Sequence, residues 1–316
     1  MSRFRLMIAL FIAILAVSTA SIFIRFAQQE VPSLVIAAVR LTLATFTLMP
    51  IAWLRHRQEV RSLTRREWLL AILSGVFLSV HFASWISSLE YTTVVSSVVL
   101  VSTGPLWVAL LSPVFLHEVP TRRVWTGMGF ALVGGVIVGL GDSCSISRIG
   151  LSCPSLGELM GGSAFFGNVL ALVGAWTVAG YLMIGRNLRA RIGLVPYIFV
   201  VYGVAALALI GYMLVAGQTP FGYSPIMYVW MLALALVPQL IGHSTYNWAL
   251  RFLPASFVSV ATLGEPVGSA ILAFLVLSEV PSGLTLVGGG LILVGIYLAA
   301  GGEGRGGERE NGRTGN

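Results

Sequence analysis

Charge is what this sequence has least of. Only 10% of its 316 residues are Asp, Glu, Lys or Arg, against about 25% in a soluble globular chain. Hydrophobic residues make up 57% and the mean hydropathy is +0.90. A separate soluble domain is therefore excluded. Lysine is absent, so all 19 basic residues are arginine, and aspartate occurs once, at Asp142. An intramembrane aspartyl protease needs two carboxylates that share a proton. The "GLGD" of residues 139–142 has half of that site and no partner. No His-Glu-x-x-His pattern supplies zinc ligands, and no Walker A sequence supplies a phosphate loop. Two cysteines, Cys144 and Cys153, share one loop with no histidine near them, so no metal site is expected there. They are open to a disulfide or to two free thiols. Neither an enzyme nor a cofactor-binding protein is indicated.

What the chain has in abundance is apolar length. Ten runs, at about 6–26, 33–54, 68–89, 93–116, 123–140, 164–185, 194–215, 226–248, 255–277 and 283–300, are each long enough to cross roughly 30 Å of hydrocarbon. The first run lacks a cleavage site followed by a polar mature region and reads as a true span, not a signal peptide. The Gly-rich, charged segment 301–316 is expected to be disordered.

The net charge of +7 would suggest nucleic acid in a soluble protein. Here the arginines follow topology instead. With the N-terminus inside, 16 of the 19 fall in cytoplasmic segments, and only Arg25, Arg40 and Arg148 lie elsewhere. That bias predicts an even number of spans with both termini cytoplasmic, in a plasma or inner membrane. The bilayer is one expected partner and nucleic acid is not.

A shift of 161 residues overlays the chain on itself. "PLWVALLSPVFLHEVPTRRVWTGMGFALVG" (105–134) matches "PVGSAILAFLVLSEVPSGLTLVGGGLILVG" (266–295) at 12 of 30 positions, without gaps. Pro105 pairs with Pro266, Glu118 and Pro120 with Glu279 and Pro281, and Gly127, Gly129 and Gly134 with Gly288, Gly290 and Gly295. Each repeat holds five spans, and an odd number forces the second copy to enter from the opposite side. The expected fold is an all-α polytopic membrane protein of ten transmembrane helices in two inverted five-helix repeats. The first occupies 1–141 and the second 163–300, joined by an extracytoplasmic loop at 142–162. Inverted repeats are the architecture of many secondary transporters, whose substrate sits near the midplane between halves.

These matched segments, with Pro32 and Arg40 in the second span and "GNVLALVGAWTVAGYLMIGR" (167–186) opening the second half, resemble the EamA-type members of the drug/metabolite transporter superfamily. The resemblance covers about residues 6–300. It implies a ten-helix carrier that moves small metabolites, often amino acids outward, by alternating access. The first span, "AILAVSTASIFIRFA", lacks the Trp-Gly pair common in that family.

Polar residues inside the spans are the site candidates. Glu265 lies about ten residues, roughly 15 Å, into its run, beside the helix-breaking Pro266, and its repeat partner is Gly104. The scaffold therefore works without an acid at this position. Glu265 can recognise a substrate amine, act as a proton-coupling carboxylate, or be hydrogen-bonded between helices. Gln239, His243, Tyr246 and Asn247 recur at three- and four-residue steps, which predicts one stripe of a helix. His81 and Trp85 stand at nearly the equivalent place in the first half. Trp85, Trp107, Trp176 and Tyr246 offer π faces to a cation or a ring, or serve as packing anchors; Asn168 and Tyr181 carry less weight. The cavity is expected between spans three, four, eight and nine, with some contribution from one and six.

Arg40, Pro105, Glu118, Pro120, Pro266, Glu279 and Pro281 read as structural. Arg40 is expected to pair with Glu30 or Glu90 near the outer surface or to snorkel, with an anionic substrate group as the alternative. As the one arginine well inside a span, it argues against a phosphate or sugar-nucleotide carrier. The Glu-Val-Pro-[Thr/Ser] motifs suit compact helix–helix turns. The functional expectation is a secondary transporter of a small, amino acid-like or other organic metabolite, with protons as the candidate coupling ion. A channel-like facilitator and a non-transporting scaffold or receptor are the alternatives.

Overall fold

The computed structural model describes residues 3–115, 122–141, 145–147, 150–152, 161–253 and 255–303. Glu118, Pro120, Asp142, Cys144, Cys153 and the segment from 304 onward lie outside them. The described chain is helical apart from a small antiparallel hairpin, β1 (Ser145–Ser147) with β2 (Gly150–Ser152), in the connection between the two halves.

The first half contains α1 (Arg3–Ser18), α2 (Ala20–Ala27), α3 (Ser33–Arg55), the short α4 (Arg57–Arg61), α5 (Arg65–Tyr91), α6 (Val94–Val101), α7 (Gly104–Phe115) and α8 (Arg122–Gly141). The second contains α9 (Ser163–Arg189), α10 (Leu194–Val215), α11 (Pro225–Leu234), a π-helical stretch (Ala235–His243), α12 (Ser244–Ala249), α13 (Ala255–Ala261), α14 (Gly264–Leu277) and α15 (Gly283–Glu303). Among the described residues, eight helical segments have the length and hydropathy to cross a membrane, counting α1–α2, α6–α7, α11–α12 and α13–α14 as one each.

Local chemistry sets the helix ends. Thr64 and Glu67 form a reciprocal capping box at the start of α5. Pro225 occupies the first turn of α11, where its missing N–H costs nothing. Gly217 takes φ +68° just past α10, letting the Gln218 amide reach back to the Met213 carbonyl at 3.0 Å.

Four apolar runs that the sequence presents as continuous are interrupted. α1 and α2 break at Thr19, α6 and α7 at Ser102–Thr103, and α13 and α14 at Thr262–Leu263, while the run at 225–249 widens into π-helix around Pro238. At the far end α15 continues to Glu303, three residues into the segment expected to be disordered.

Side chains are distributed as a bilayer requires. Val215 is 92% exposed, Leu54 82% and Leu275 68%, whereas Arg40, Gln239 and Asn247 are wholly buried. Polar groups are inside, satisfied or shielded by protein, and the apolar surface is outside. This is a multi-pass membrane protein. α9 packs on α5, α6 and α7; α1 packs on the π stretch and α14; α3 packs on α10, and α8 on α15. The last contact brings backbone against backbone. A Cβ built on Gly134 would lie 2.5 Å from the Gly288 carbonyl oxygen, so only glycine permits that approach.

Candidate functional site

The two breaks, at 102–103 and 262–263, face one cavity. The space along it measures about 610 Å³ with the open solvent at its mouth included. Its walls come from α5 (His81, Trp85), the α6–α7 break (Ser102, Gly104, Pro105), α9 (Val178, Tyr181), the π stretch with α12 (His243, Tyr246) and the α13–α14 break (Ser259, Thr262, Glu265). The breaks follow from local sequence. Pro105 and Pro266 fall in the first turns of α7 and α14, where no backbone donor is required. Thr103 and Thr262 turn their hydroxyls onto the Leu100 and Ser259 carbonyls, at 2.7 and 2.6 Å, satisfying acceptors that the break releases.

On the α5 wall His81 and Trp85 stack one turn apart, with ring centroids at 5.9 Å and planes at 15°. His81 Nδ1 lies 2.9 Å from the Gly174 carbonyl. A carbonyl only accepts, so Nδ1 carries the hydrogen, and in the neutral ring Nε2 is left as an acceptor. His243 stands opposite, 6.4 Å from His81 and edge-on to Phe82 at 5.2 Å. Tyr246 follows at 6.4 Å from His243. Trp85 Nε1 and Tyr246 Oη are buried with no hydrogen-bond partner among the described residues.

Glu265 completes the wall and stands apart from the other glutamates. Four of those hold the start of a neighbouring helix. Glu30 accepts from the Ser224 amide at 3.0 Å, Glu90 from Ser33 at 3.2 Å, Glu59 from Gly193 at 2.5 Å and Glu279 from Val94 at 2.9 Å. Glu279 also pairs with Arg25 at 3.2 Å. Glu265, half-buried in the first turn of α14, makes no side-chain hydrogen bond or ion pair among the described residues. The positive end of that helix dipole favours an anion there. The cavity thus offers an occupant one carboxylate, two unused donors, two imidazoles and aromatic faces.

Three expectations are revised. Arg40 is not near the surface with Glu30 or Glu90, which are engaged with Ser224 and Ser33. It is wholly buried, donates from Nε to Gln239 Oε1 at 3.0 Å, and lies 4.2 Å from the Phe82 ring centre. The residues expected on one stripe divide between two faces. His243 and Tyr246 line the cavity, while Gln239 meets Arg40 and Asn247 donates to the Tyr181 hydroxyl and to the His243 carbonyl. Trp107 and Trp176 lie outside the cavity lining, edge-on to each other at 5.2 Å, with Trp176 49% exposed on the outer surface. Conversely, Ser102, Ser259 and Thr262 line the cavity without having been singled out. Ser102 and Thr262 sit at the two breaks, a few residues before Pro105 and Pro266, and Ser259 lies one turn before Thr262 in α13.

A model of the EamA-like transporter family matches residues 5–140 and matches again at 165–301. The chain belongs to that family. EamA-like proteins fall within the drug/metabolite transporter superfamily, and the double match shows that the chain carries the family's unit twice. An uncharacterized transporter of Archaeoglobus fulgidus is 26% identical over 94% of this chain and 97% of its own length. Inner membrane protein YtfF of Escherichia coli is 25% identical over 85% of this chain and 87% of its own. The pseudopaline exporter CntI of Pseudomonas aeruginosa is 25% identical over 90% and 92%. A protein of known crystal structure shares the fold, with a TM-score of 0.66 at 20% identity over 94% of this chain and 97% of that one.

Proposed function

We propose that this EamA-like protein is a secondary transporter that moves a small amino acid-like or other organic metabolite out of the cell by alternating access between two inverted five-helix repeats. It resides in the plasma or inner membrane with both termini cytoplasmic, as the arginine distribution indicates. The observation that carries the reading is Glu265: a carboxylate inside a membrane span, at a helix break, facing a cavity, within electrostatic reach of Arg40 but held by no side-chain hydrogen bond or ion pair among the described residues. An unpaired intramembrane acid is costly, and its usual use is on a substrate or ion pathway.

The packing supports the repeat. Under the 161-residue offset α1–α2 correspond to α9, α5 to α11–α12, and α6–α7 to α13–α14. The contacts of α9 with α5 and α7 then have their counterparts in those of α1 with the π stretch and α14. α3 with α10 and α8 with α15 pair each element with its own counterpart. A relation of this kind is what a pseudo-two-fold axis between halves produces. Export is supported by the name of the CntI relative and by the family resemblance.

The test starts from purified protein and a thermal-shift screen against amino acids, polyamines and organic cations, because a ligand of the folded state raises its apparent stability. In vesicles the compound with the largest shift is expected to show saturable flux and counterflow. Glu265→Gln is expected to abolish proton-driven accumulation while sparing exchange. Unchanged gradient-driven transport in that variant removes the coupling role. Conductance that does not saturate makes the protein a channel, and no flux of any screened compound makes it a scaffold or receptor.

A further inference from the structure

The polar groups of the interior gather around a stretch that does not wind as an α-helix. Ala235–His243 is nine residues of π-helix set between α11 and α12. Pro238 explains why the α form is interrupted. It has no N–H for the Leu234 carbonyl, and its ring would strike that carbonyl in an α-turn. A single widened turn would be enough to relieve this, and π-helix normally occurs only as such single turns. The remaining length needs a second cause.

That cause is at Gln239, which is gripped at both ends. Arg40 Nε donates to its side-chain oxygen at 3.0 Å, and Ser244 Oγ donates to its carbonyl at 3.3 Å while also meeting the Tyr202 hydroxyl at 3.2 Å. Arg40 comes from α3 and is wholly buried, so this grip ties the π stretch to a different helix. Yet the guanidinium makes one bond where it can make several. Its Nη1 and Nη2 are buried without hydrogen-bond partners among the described residues. A buried cation that rests on the Phe82 ring and near the charge of Glu265 but makes a single hydrogen bond, with donors idle, suits an arrangement that is exchanged for another.

Contacts on the opposite side show what such an exchange would move. Gly242 lies so close to α1 that a Cβ there would be 2.5 Å from Val17 Cγ1. α1 is in turn set against the break that carries Glu265. A Cβ on Gly264 would be 2.5 Å from Ile14 Cγ2, and Ser269 Oγ donates to the Ser18 carbonyl at 3.1 Å. The π stretch, α1 and the start of α14 therefore form one packed series from Arg40 to the carboxylate. Each residue regained by α-winding turns the following ones by about 100°. That rotation would carry His243 and Tyr246 along the cavity wall.

Resting on the transporter reading above, we propose that Arg40 is the positioning residue of the cargo site: through its single bond to Gln239 it holds residues 235–243 in the π form that presents His243 and Tyr246 to the cavity, and release of that bond lets the stretch rewind as the cavity changes its opening. Gln239→Glu gives Arg40 a charged acceptor that can engage its idle nitrogens, so it tightens the latch. Gln239→Leu removes it.

Amide hydrogen exchange of the full-length protein in lipid nanodiscs reads the latch without any cargo. Protection at 235–243 is expected to rise about tenfold in Gln239→Glu and to fall about tenfold in Gln239→Leu, each relative to α10 in the same molecule. In a His243→Cys background, alkylation by N-ethylmaleimide is expected to change at least about threefold between the two Gln239 variants, because opening of the stretch reorients that position. The exchanged pair Arg40→Gln with Gln239→Arg is expected to restore protection. If Arg40 is merely structural, both variants shift exchange at 235–243 and in α10 together and leave the alkylation rate alone. That result overturns the proposal, as does exchange at 235–243 that neither variant changes. Because no readout involves flux, failure of the transporter reading would appear separately, as absence of flux with the latch intact.

Discussion

The two broken helices, α6–α7 and α13–α14, make the most instructive comparison in the molecule. Each breaks after a short first piece, restarts within two residues of a proline, and turns a threonine hydroxyl back onto a released carbonyl. At the matched position one has Gly104 and the other Glu265. The surroundings differ accordingly. A Cβ on Gly104 would lie 3.1 Å from Val178 Cγ1 and 3.6 Å from the Ala175 carbonyl, because α9 closes over that side. Both positions line the cavity, so what differs is the room α9 leaves for a side chain at the first of them. The break is thus a property of the scaffold, present in both repeats, and the acid is a property of one repeat's chemistry.

Gly104→Glu is the severest test of that distinction. It puts a second carboxylate on the cavity wall with its Cβ pressed against Val178 of α9, and an uncompensated buried charge costs about 3–5 kcal/mol. Loss of folded protein is expected, read by size-exclusion profile and by thermal unfolding in detergent. A Gly104→Glu protein as stable as the parent would show the two breaks to be equivalent surroundings after all. Next in size is Glu279→Ala, which deprives α6 of its cap at Val94 and leaves Arg25 with the Thr92 carbonyl alone. A lost cap and a half-exposed ion pair together are worth about 1–2 kcal/mol. The expected outcome is a lower melting temperature with cavity ligand affinity retained, in contrast to any change at Glu265. The smallest effects belong to Thr103→Val and Thr262→Val. Each removes one local side-chain bond worth about 1 kcal/mol or less, and similar losses in the two variants would sharpen the view that the breaks are built alike.

Much of this was legible in the residues. Apolar run length announced the membrane, the 161-residue offset announced the duplication, and Pro266 beside Glu265 announced an interrupted helix with an acid in it. The cavity assembles His81, Trp85, His243, Tyr246 and Glu265 from runs whose polar members had no other evident use. What stayed hidden has a physical reason. Helices in a bilayer are apolar on both their lipid and protein faces, so hydropathy does not say which way Trp107 or Trp176 turns. Arg40 was misplaced because depth along a run says nothing of what lies beside it. The division of Gln239 from His243 falls within the π stretch, where spacing rules that assume α-geometry fail, while Tyr246 and Asn247 are neighbours in α12 and point apart by the ordinary helical turn.

The interrupted helices also bear on how the chain enters the membrane. α6 has eight residues and α13 seven, a rise of about 12 Å or less, well under half of the roughly 30 Å of hydrocarbon to be crossed. Neither piece can settle in the bilayer alone, so the insertion machinery must receive each with its continuation as one greasy rod. The bends at 102–103 and 262–263 rest against α9 and α1 in the finished molecule, so the shape of the central hollow depends on helices that lie far from each bend in the chain.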